Sequence, residues 1–518
     1  MPTLREKLKH SPIVPVLLFF PLIILITSDG ATFLANQVLI AVDLDLSFEF
    51  LGIIVGLNYA MAGGLTFVFG YLADTKSRKW LLFSGGMIWA LAEFLTTFSV
   101  DGMMILACRI MAAVGTGAQA PVTFSLLSDI FSSEKRSNSF AWWGIASMIG
   151  GIGGGAIALA FNKINFNAPE YANLDVAGKI SHLKSLNLPE ITYWRYNYLL
   201  FGSLALIFSL FVLLIKEPKR AAKEKALATI LADEHVSYEH SYRIKRSDLK
   251  YIYTRKSNFW LIINFVDNVA SGMLVTYLIS YITVEIGFSL NLSEPDPMTL
   301  GALIPFLVIL LGFGLFGQFY FAKRGDKKVQ QGDPAGRVKL AVFTGVVIIP
   351  FLVVAFLFLP RAPTKTTPGS FFNGLVQVDA GMFTMMMILM GLIGGIGLAM
   401  SLGIAPNWYA SLIDVNLPEH RGTMIATASF LDTLGRSMGA IVGGTLSTTF
   451  MNSGDPLLQT YPFGMTLVYM FSIFGVISSL LWLPILKYCK QDFSEIQHIL
   501  AERAEKLKET QKALKSEA

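Results

Sequence analysis

Long apolar runs separated by short polar segments fill this chain from one end to the other. One membrane-crossing helix needs about 20 predominantly apolar residues, and the chain holds about twelve runs of that length. They lie at residues 13–41, 49–73, 80–99, 102–131, 137–161, 194–215, 257–286, 298–323, 338–359, 379–413, 420–450 and 460–487. The pattern predicts an all-α membrane protein of twelve transmembrane helices, here called spans 1 to 12, with both termini on one side of the bilayer.

The composition agrees with a membrane protein. Hydrophobic residues make up 53% of the 518 positions and charged residues only 15%, which leaves too much apolar surface for a water-soluble fold. Cys108 and Cys489 lie far apart in apolar surroundings, so we expect no disulfide framework. The first apolar run is too long for the core of a cleaved signal peptide, and we expect it to remain as span 1.

Positive charge falls in alternate loops. Nearly all Lys and Arg residues lie in the two terminal segments and in every second loop, as Lys76, Arg78 and Lys79 do between spans 2 and 3. Cytoplasmic loops of membrane proteins are enriched in Lys and Arg, so we expect these loops and both termini to be cytoplasmic. A net charge of +5 arranged in this way indicates membrane topology and no nucleic-acid partner.

The two halves of the chain repeat one motif. A proline, an aspartate and an arginine recur with the spacing Pro-(x7)-Asp-(x6)-Arg at the ends of spans 4 and 10, as Pro121, Asp129 and Arg136 and again as Pro406, Asp414 and Arg421. The repeat predicts two pseudo-symmetric six-helix halves. We expect a first half at 1–215, a basic cytoplasmic linker at 216–256, a second half at 257–490 and a cytoplasmic tail helix at 491–518.

The loop between spans 2 and 3 is short and polar. Its residues Gly70, Leu72, Asp74, Arg78 and Lys79 fit the pattern G-x-L-x-D-x-x-x-R-[KR]. In this loop and in the repeat, the chain resembles the major facilitator superfamily. The resemblance implies the fold of that family, with a substrate held between the two halves near the bilayer midplane and moved by alternating access.

The resemblance also implies a gate at the cytoplasmic ends of the helices. Asp74 would lie against the start of span 11, and Arg78 would pair with Asp129 when the transporter opens outward. The second half has Ala322 where the corresponding acid belongs, which leaves its counterpart latch an open question. The candidate gating residues are Gly70, Asp74, Arg78, Lys79, Asp129, Arg136, Asp414 and Arg421.

Within the superfamily, span 4 resembles that of the Spinster-like transporters. Arg109, Gly115, Asp129 and Phe131 fall at the matching spacings, and Asp29 matches an aspartate of their first span. This resemblance, with a Met-rich and Phe-rich second half, implies an amphipathic lipid-like substrate such as a lysophospholipid or a sphingoid lipid. The alternative substrate is a small organic anion or drug-like solute held by arginine.

Ionisable residues inside spans are costly and mark functional candidates. Asp29, Thr32 and Asn36 form one helical stripe on span 1, and Arg109 and Thr116 lie on one stripe of span 4. Both stripes would face the cavity in this family. We predict an Asp29–Arg109 pair that opens when the acid is protonated or an anionic ligand displaces it; the alternative is a permanent ion pair that fixes two helices.

The second half carries its own polar face. Asn264, Asp267 and Asn268 lie together on span 7, while Asp432 and Arg436 lie four residues apart on span 11. Arg436 either pairs with Asp432 on its own helix or meets Asp267 across helices.

Two further spans hold polar or aromatic candidates. Asn407 and Trp408 on span 10 are candidate substrate contacts, and Glu93 on span 3 has no evident partner and is expected to be structural.

These patterns predict a secondary active transporter and not an enzyme. All six histidines lie outside the spans, so coupling to protons would use the carboxylates of Asp29, Asp267 and Asp432 with Arg109 and Arg436 beside them. No phosphate-binding loop, metal-ligand spacing or nucleophile motif is present, so we expect neither a cofactor nor a metal. We expect a monomer in the cell membrane, with the lipid bilayer, the substrate and protons as its partners. A function of another class, a transporter-like receptor or sensor that binds without transporting, stays open.

Overall fold

The computed structural model of the chain gives a backbone for most of its length. It describes residues 13–517 apart from 131–132, 167, 172, 218–245, 289–298, 334, 359, 364–368, 372–375 and 418–419. Up to residue 217 the helices are α1 Ile13–Asp43, α2 Phe48–Thr75, α3 Arg78–Thr96, α4 Gly102–Ile130, α5 Ser133–Phe161, α6 Val176–Leu186 and α7 Trp194–Val212. These form what we call the first half.

The second half follows from residue 246. Its helices are α8 Arg246–Thr254, α9 Lys256–Ile263, α10 Asp267–Ser280, α11 Ile304–Gln330, α12 Gly336–Leu357, α13 Ala380–Asp414, α14 Arg421–Met451, α15 Pro456–Thr460 and α16 Pro462–Glu517. Short helical turns cover Pro169–Tyr171, Pro189–Tyr193, Asn264–Val266, Tyr281–Glu285 and Thr299–Leu303. Strands β1 Gly369–Phe371 and β2 Val376–Val378 form an antiparallel hairpin in which Ser370 pairs with Gln377.

Each predicted span corresponds to a helix. Spans 1 to 12 are α1, α2, α3, α4, α5, α7, α9 with α10, α11, α12, α13, α14 and α16. Over the described ranges, nine helical segments are long and apolar enough to cross a membrane by length and composition alone. The prediction of an all-α, multi-spanning membrane fold is confirmed.

Span 7 is broken where the sequence predicts one continuous helix. α9 ends at Ile263, a 3₁₀ turn covers Asn264–Val266, and α10 begins at Asp267. Short polar side chains such as Asn and Asp compete with the helical backbone for hydrogen bonds, which favours a break here. The carbonyl of Leu261 accepts a hydrogen bond from Trp408 Nε1 at 2.9 Å, as expected for a backbone group released by the turn.

The last span and the predicted tail form one helix. α16 runs unbroken from Pro462 to Glu517. Just beyond the membrane-length part, Glu495 accepts a hydrogen bond from Arg255 Nη2 at 2.9 Å, and Asp492 accepts one from the backbone N–H of Ser257 at 3.1 Å. The start of the tail is therefore attached to the start of α9. Of the predicted linker 216–256, residues 218–245 lie outside the described part of the chain.

The bundle has two distinguishable ends. We call the end that carries α6 and the β-hairpin the lid end, and the end that carries Lys76, Ser77 and the α11–α12 connection the basic end. The halves meet along α2 and α14, where Gly52 leaves room for the Ala440 carbonyl. At the lid end, Tyr277 Oη donates to the Phe48 carbonyl at 2.8 Å.

Candidate functional site

A cluster of three charged side chains lies inside the first half. The guanidinium of Arg109 on α4 donates to Asp29 on α1 through Nη1 and to Glu93 on α3 through Nη2. Thr96 Oγ1 lies 3.4 Å from Nη2. Asp29, Glu93 and Arg109 are 7%, 1% and 3% exposed. The predicted Asp29–Arg109 contact is therefore present, and it is almost sealed from solvent.

Glu93 is the member that the sequence analysis missed. We expected it to have no partner, and the structure instead pairs it with Arg109. Both residues lie within about two helical turns of the α3–α4 connection, so an antiparallel helix hairpin brings them to similar depth. The pairing could have been predicted from the sequence, because both residues lie a short distance along the chain from that connection.

Aromatic side chains surround this charged cluster. The Arg109 guanidinium lies over the rings of Tyr198 and Phe33, at 5.2 and 5.8 Å from their centroids. Trp89 Nε1 lies 3.5 Å from Asp29 Oδ2. Among the described residues, Arg109 Nε and the Tyr198 hydroxyl are buried without a hydrogen-bond partner. A charged group in such surroundings depends on its partners, because water does not solvate it.

The charges of this cluster do not balance. Two carboxylates face one guanidinium, so the fully ionised cluster would carry one negative charge in a medium of low polarity. One proton on either carboxyl group makes it neutral. The two carboxyl groups also lie near enough to interact with each other.

The other first-half candidates have different surroundings. Thr32 and Asn36 are fully buried and bond their own helix, Thr32 Oγ1 to the Ser28 carbonyl and Asn36 Nδ2 to the Thr32 carbonyl, both at 2.9 Å. Thr116 is partly exposed and its hydroxyl lies 3.3 Å from the Ala112 carbonyl. Their contact with a substrate stays a prediction.

The polar face predicted on span 7 forms contacts with two other helices. Ser478 Oγ on α16 lies 2.9 Å from Asn264 Oδ1 and 3.4 Å from Asp267 Oδ1. Asn268 Nδ2 donates to Asp432 Oδ1 on α14 at 3.0 Å. The break in span 7 thus lies at the junction of three second-half helices, where broken helices in transporters place ligand-binding groups.

Arg436 differs from both predicted pairings. Within the described part of the chain it forms no ion pair, neither with Asp432 nor with Asp267, because Asp432 bonds Asn268 instead. Its side chain is exposed.

Asn407 and Trp408 are packed between helices in this conformation. Asn407 is buried and bonds the carbonyls of Gly403 and Phe321 at 2.9 and 3.2 Å. Trp408 is also buried and bonds α9 through its indole N–H. These contacts are between helices, and a role of either residue in binding stays a prediction.

Arg78 is the gating candidate with the clearest contacts. Its Nε donates to Glu217 Oε1 at 3.0 Å, and Ser77 Oγ donates to Glu217 Oε2 at 2.5 Å. Burial raises the pKa of the Glu217 carboxyl, but the hydrogen bonds from Ser77 and Arg78 outweigh it and hold that pKa below its usual value. Glu217 was not among the predicted residues, although it is the first acid after span 6.

The remaining gating candidates are only partly visible. The side chains of Asp74, Asp129, Arg136 and Arg421 lie outside the described part of the structure, so the Arg78–Asp129 pairing stays a prediction. Gly70 is partly exposed with open space beside its Cα, and Lys79 is partly buried.

The second half has the counterpart contact that the sequence left open. Arg337, at the start of α12, bonds Asp414 at the end of α13 through Nη1 and lies 2.6 Å from Asp326 Oδ1 through Nη2. Arg337 matches Arg78, which starts α3, and Asp414 matches Asp129 at the end of α4. The acid of α11 that contacts Arg337 is Asp326, four residues after Ala322, on a helix that continues to Gln330.

A cavity of about 650 Å³ opens at the basic end between α2, α4 and α14. Its described lining is apolar with scattered hydroxyl groups and has no charged side chain, and it includes Thr66, Phe67, Ser125, Ser429, Phe430 and Thr433. In the described part of the chain no group of three or more His, Cys, Asp or Glu side chains is placed to hold a metal ion.

Comparison with known proteins shows which family has this architecture. The sequence matches the model of the Major Facilitator Superfamily over residues 18–402, more than half of the chain. Synaptic vesicle glycoprotein 2B of Rattus norvegicus is 34% identical over 147 residues, which are 27% of this chain and 21% of that protein. The matched region therefore spans about a fifth of that relative's length.

Solved structures of similar fold cover nearly the whole chain. The crystal structure of a bacterial homologue of the human lysosomal transporter Spinster, inward-facing and unoccupied, has a TM-score of 0.67 at 16% identity and covers 93% of this chain and 98% of its own. The D-xylose-proton symporter has a TM-score of 0.58 at 13% identity, with coverage of 91% and 98%. At these identities the likeness shows a shared fold. The chain therefore belongs to the Major Facilitator Superfamily of membrane transporters.

Proposed function

We propose that this protein is a proton-coupled secondary transporter of an amphipathic, lipid-like solute, working by alternating access. The observation that carries the proposal is the buried cluster of Asp29, Glu93 and Arg109. Ionisable groups at membrane depth are costly and mark substrate or proton pathways. The D-xylose-proton symporter of similar fold is named as a proton-coupled transporter, which supports the same class of coupling here.

Protonation would act by changing the charge of this cluster. With one proton shared between Asp29 and Glu93, the cluster is neutral and stable when sealed. Loss of that proton leaves one uncompensated negative charge, which favours a conformation that admits water or a cationic group. A conformational equilibrium that differs in proton affinity between its two states is sufficient to couple proton movement to the rocking of the halves.

The observed conformation supports an inward-facing state. The halves are joined at the lid end, where Tyr277 bonds Phe48 and Ser280 Oγ lies 3.2 Å from Gln37 Oε1, while the 650 Å³ cavity lies at the basic end. The positive charge of the loops at the basic end supports a cytoplasmic position for that end. On this proposal both termini are cytoplasmic, and the protein is a monomer of the cell membrane.

The substrate class is proposed from two features of the site. The cavity lining is apolar with hydroxyl groups and without charge among its described residues, which suits the acyl part and neutral portions of an amphiphile. Arg436 is an exposed cation without an ion-pair partner in the described chain, and it suits an anionic headgroup. The bacterial protein of similar fold is a homologue of the human lysosomal transporter Spinster. A small organic anion or drug-like solute remains the alternative substrate.

A liposome flux assay tests the proposal. The full chain, reconstituted with an imposed pH gradient, is assayed with labelled lysophospholipid and with a panel of organic anions. We expect gradient-driven flux that is lost in Asp29→Asn and in Glu93→Gln. Asp45→Asn is the matched control, because Asp45 has an 81% exposed side chain and a positive φ of 53° that asparagine tolerates.

Two outcomes would contradict the proposal. Flux that ignores the gradient and survives both substitutions rejects proton coupling through this cluster. Saturable binding of a ligand without any flux across sealed vesicles favours the receptor or sensor, the candidate of another class.

A further inference from the structure

Helix α6 is a helix capped at both ends, inside the connection between α5 and α7. Asp175 Oδ1 accepts a hydrogen bond from the backbone N–H of Gly178 at 2.7 Å and caps its first turn. Asn187, in the left-handed conformation with φ 46°, ends the helix. Both ends are thus fixed by their own sequence. The residues Val176, Lys179 and Leu183 form one buried face.

Lys179 extends from this face into the second half. It is 4% exposed, and its Nζ donates to the carbonyl of Val284 at 2.5 Å, in the last turn of span 7. The next residue, Glu285, accepts hydrogen bonds from the backbone N–H groups of Phe463 and Gly464 at 2.7 and 3.0 Å, at the start of α16. One lysine of the first half therefore reaches the junction of two second-half spans.

Arg361 completes the surroundings of this lysine. Its Nε lies 3.3 Å from the Glu285 carbonyl, and its guanidinium lies over the Tyr461 ring at 5.6 Å. Burial, together with the charge of Arg361, lowers the pKa of Lys179 to about 7 against the opposing effect of Glu285 and Asp175. Arg361 Nη2 is buried without a hydrogen-bond partner among the described residues. The closed junction thus holds polar groups that water would solvate better.

A second lysine of α6 gives the contrast. Lys184 has a side chain that is 52% exposed and lies 2.6 Å from Asp45, which is also in the first half. It is a surface contact within one half, whereas Lys179 is buried and joins the two halves. The helix therefore presents one lysine to solvent and one to the opposite half.

We propose that α6 is a latch that holds the lid end closed through Lys179 and must release the Val284 carbonyl before the transporter opens at that end. The proposal rests on the alternating-access part of the proposed function. Its direction follows from the contacts, since Lys179 lies on the same side of the molecule as the Gln37–Ser280 and Phe48–Tyr277 contacts between the halves. Release of the latch would favour opening at the lid end and closure at the basic end.

Cysteine labelling at the two ends tests the latch. In the full chain in lipid nanodiscs, Ser280→Cys reports the lid end and Ala426→Cys reports the cavity at the basic end; native Cys108 and Cys489 are both buried. Each reporter is combined with Lys179→Met, which keeps the length and apolar character of the buried stem, or with the control Lys184→Met. Labelling by a water-soluble maleimide is timed without any substrate.

With Lys179→Met we expect labelling at residue 280 to rise by about threefold or more and labelling at residue 426 to fall. With Lys184→Met both rates should match the parent. Unchanged rates with Lys179→Met reject the latch. A rise at both ends reports loss of the fold and also rejects it, because release moves the two rates in opposite directions. If the two labelling rates change in opposite directions but liposomes show no flux, the latch proposal stands and the transporter proposal is rejected. If flux is present but Lys179→Met leaves both labelling rates unchanged, only the latch proposal is rejected.

Discussion

Arg109 is the single cation that holds two buried carboxylates, and the two do not have the same surroundings. Asp29 has the indole N–H of Trp89 nearby as a second donor, at 3.5 Å. Glu93 is more deeply buried, with 1% of its surface exposed, and it accepts a hydrogen bond from Arg109 Nη2. Removal of the arginine therefore leaves both buried carboxylates without their cation, and each then carries the free-energy cost of a buried unpaired charge.

We predict that Arg109→Met destabilises the protein strongly. Breaking a buried ion pair by removing one partner costs about 3–5 kcal/mol, and here two carboxylates lose their cation. Thermal unfolding in detergent measures the loss. The same substitution made together with Asp29→Asn and Glu93→Gln should regain most of the stability, because no buried charge is then left unpaired. A triple variant no more stable than Arg109→Met would contradict the idea that these charges balance one another.

Sequence reasoning at this scale succeeded for Asp29 and Arg109 and failed for Glu93 and Arg436. The first pair is marked by charge inside apolar runs and by helical stripes. Glu93 was missed because helical periodicity relates residues on the same helix only, whereas its partner Arg109 lies on the neighbouring helix. Arg436 lacks the predicted pairs because the Asp432 carboxylate turns to Asn268, a choice that depends on how α10 and α14 pack.

At the scale of elements, the length of the apolar runs predicts which segments cross the membrane, but it does not predict where a helix breaks or how far it continues. Span positions followed from hydropathy, whereas the break at Asn264–Val266, the unbroken α16 and the extension of α11 to Gln330 did not. These depend on hydrogen bonds between elements, such as Glu495 to Arg255 at 2.9 Å, which no local pattern contains. The helix α6 was likewise absent from the prediction, because only three of its residues are buried and they do not form a long apolar run.

The buried Lys179 makes closure of α6 dependent on pH. Its pKa is about 7 when the helix is closed and returns toward the usual 10.5 when the helix moves into water. Since the closed state has the lower pKa, it binds fewer protons, so closure weakens as the pH falls from 10.5 toward about 7 and changes no further below that. The dependence is at most about tenfold per pH unit.

Charged groups from several elements lie around Lys179. The groups that act on Lys179 are Asp175 at its own helix cap and Glu285 and Arg361 from the second half. The elements packed against α6 also carry Asp43 at the end of α1 and Asp45 just after it, which pair with Arg195 and Lys184, and Asp455, which caps α15. The labelling rate at Ser280→Cys, divided by the rate in the Lys179→Met protein at the same pH, measures the effect. A ratio that stays flat between pH 10 and pH 7 would show that the lysine does not titrate with closure.

A second prediction at this scale concerns the basic end. Arg337 ties α11 to α13 through Asp326 and Asp414, as Arg78 ties α3 to the segment after α7 through Glu217. We expect Asp414→Asn to lower the melting temperature more than Asp326→Asn, because the side chain of Asp414 is 23% exposed and that of Asp326 is 56% exposed. Equal shifts, or a larger one for Asp326→Asn, would contradict this.

For the whole molecule, the arrangement of the two halves decides what the protein can do. They touch through side chains at the lid end and leave a cavity at the basic end, so transport requires the lid-end contacts to separate. Gln37 and Ser280 lie on opposite halves with side-chain atoms 3.2 Å apart, and a disulfide between cysteines at these positions would hold the lid end closed. We therefore predict that oxidation of Gln37→Cys/Ser280→Cys stops flux and that reduction restores it.

A matched pair within one half separates locking from the mere presence of a disulfide. Ser447 and Thr466, on α14 and α16 of the second half, have hydroxyls 3.1 Å apart and are both buried. Oxidised Ser447→Cys/Thr466→Cys should transport as its reduced form does, since the halves move as units. Ligand binding at the basic end should survive in both oxidised proteins, because the cavity there is already open. Continued flux through the oxidised lid-end pair would mean that the solute crosses without separation of the halves, as in a channel or a scramblase.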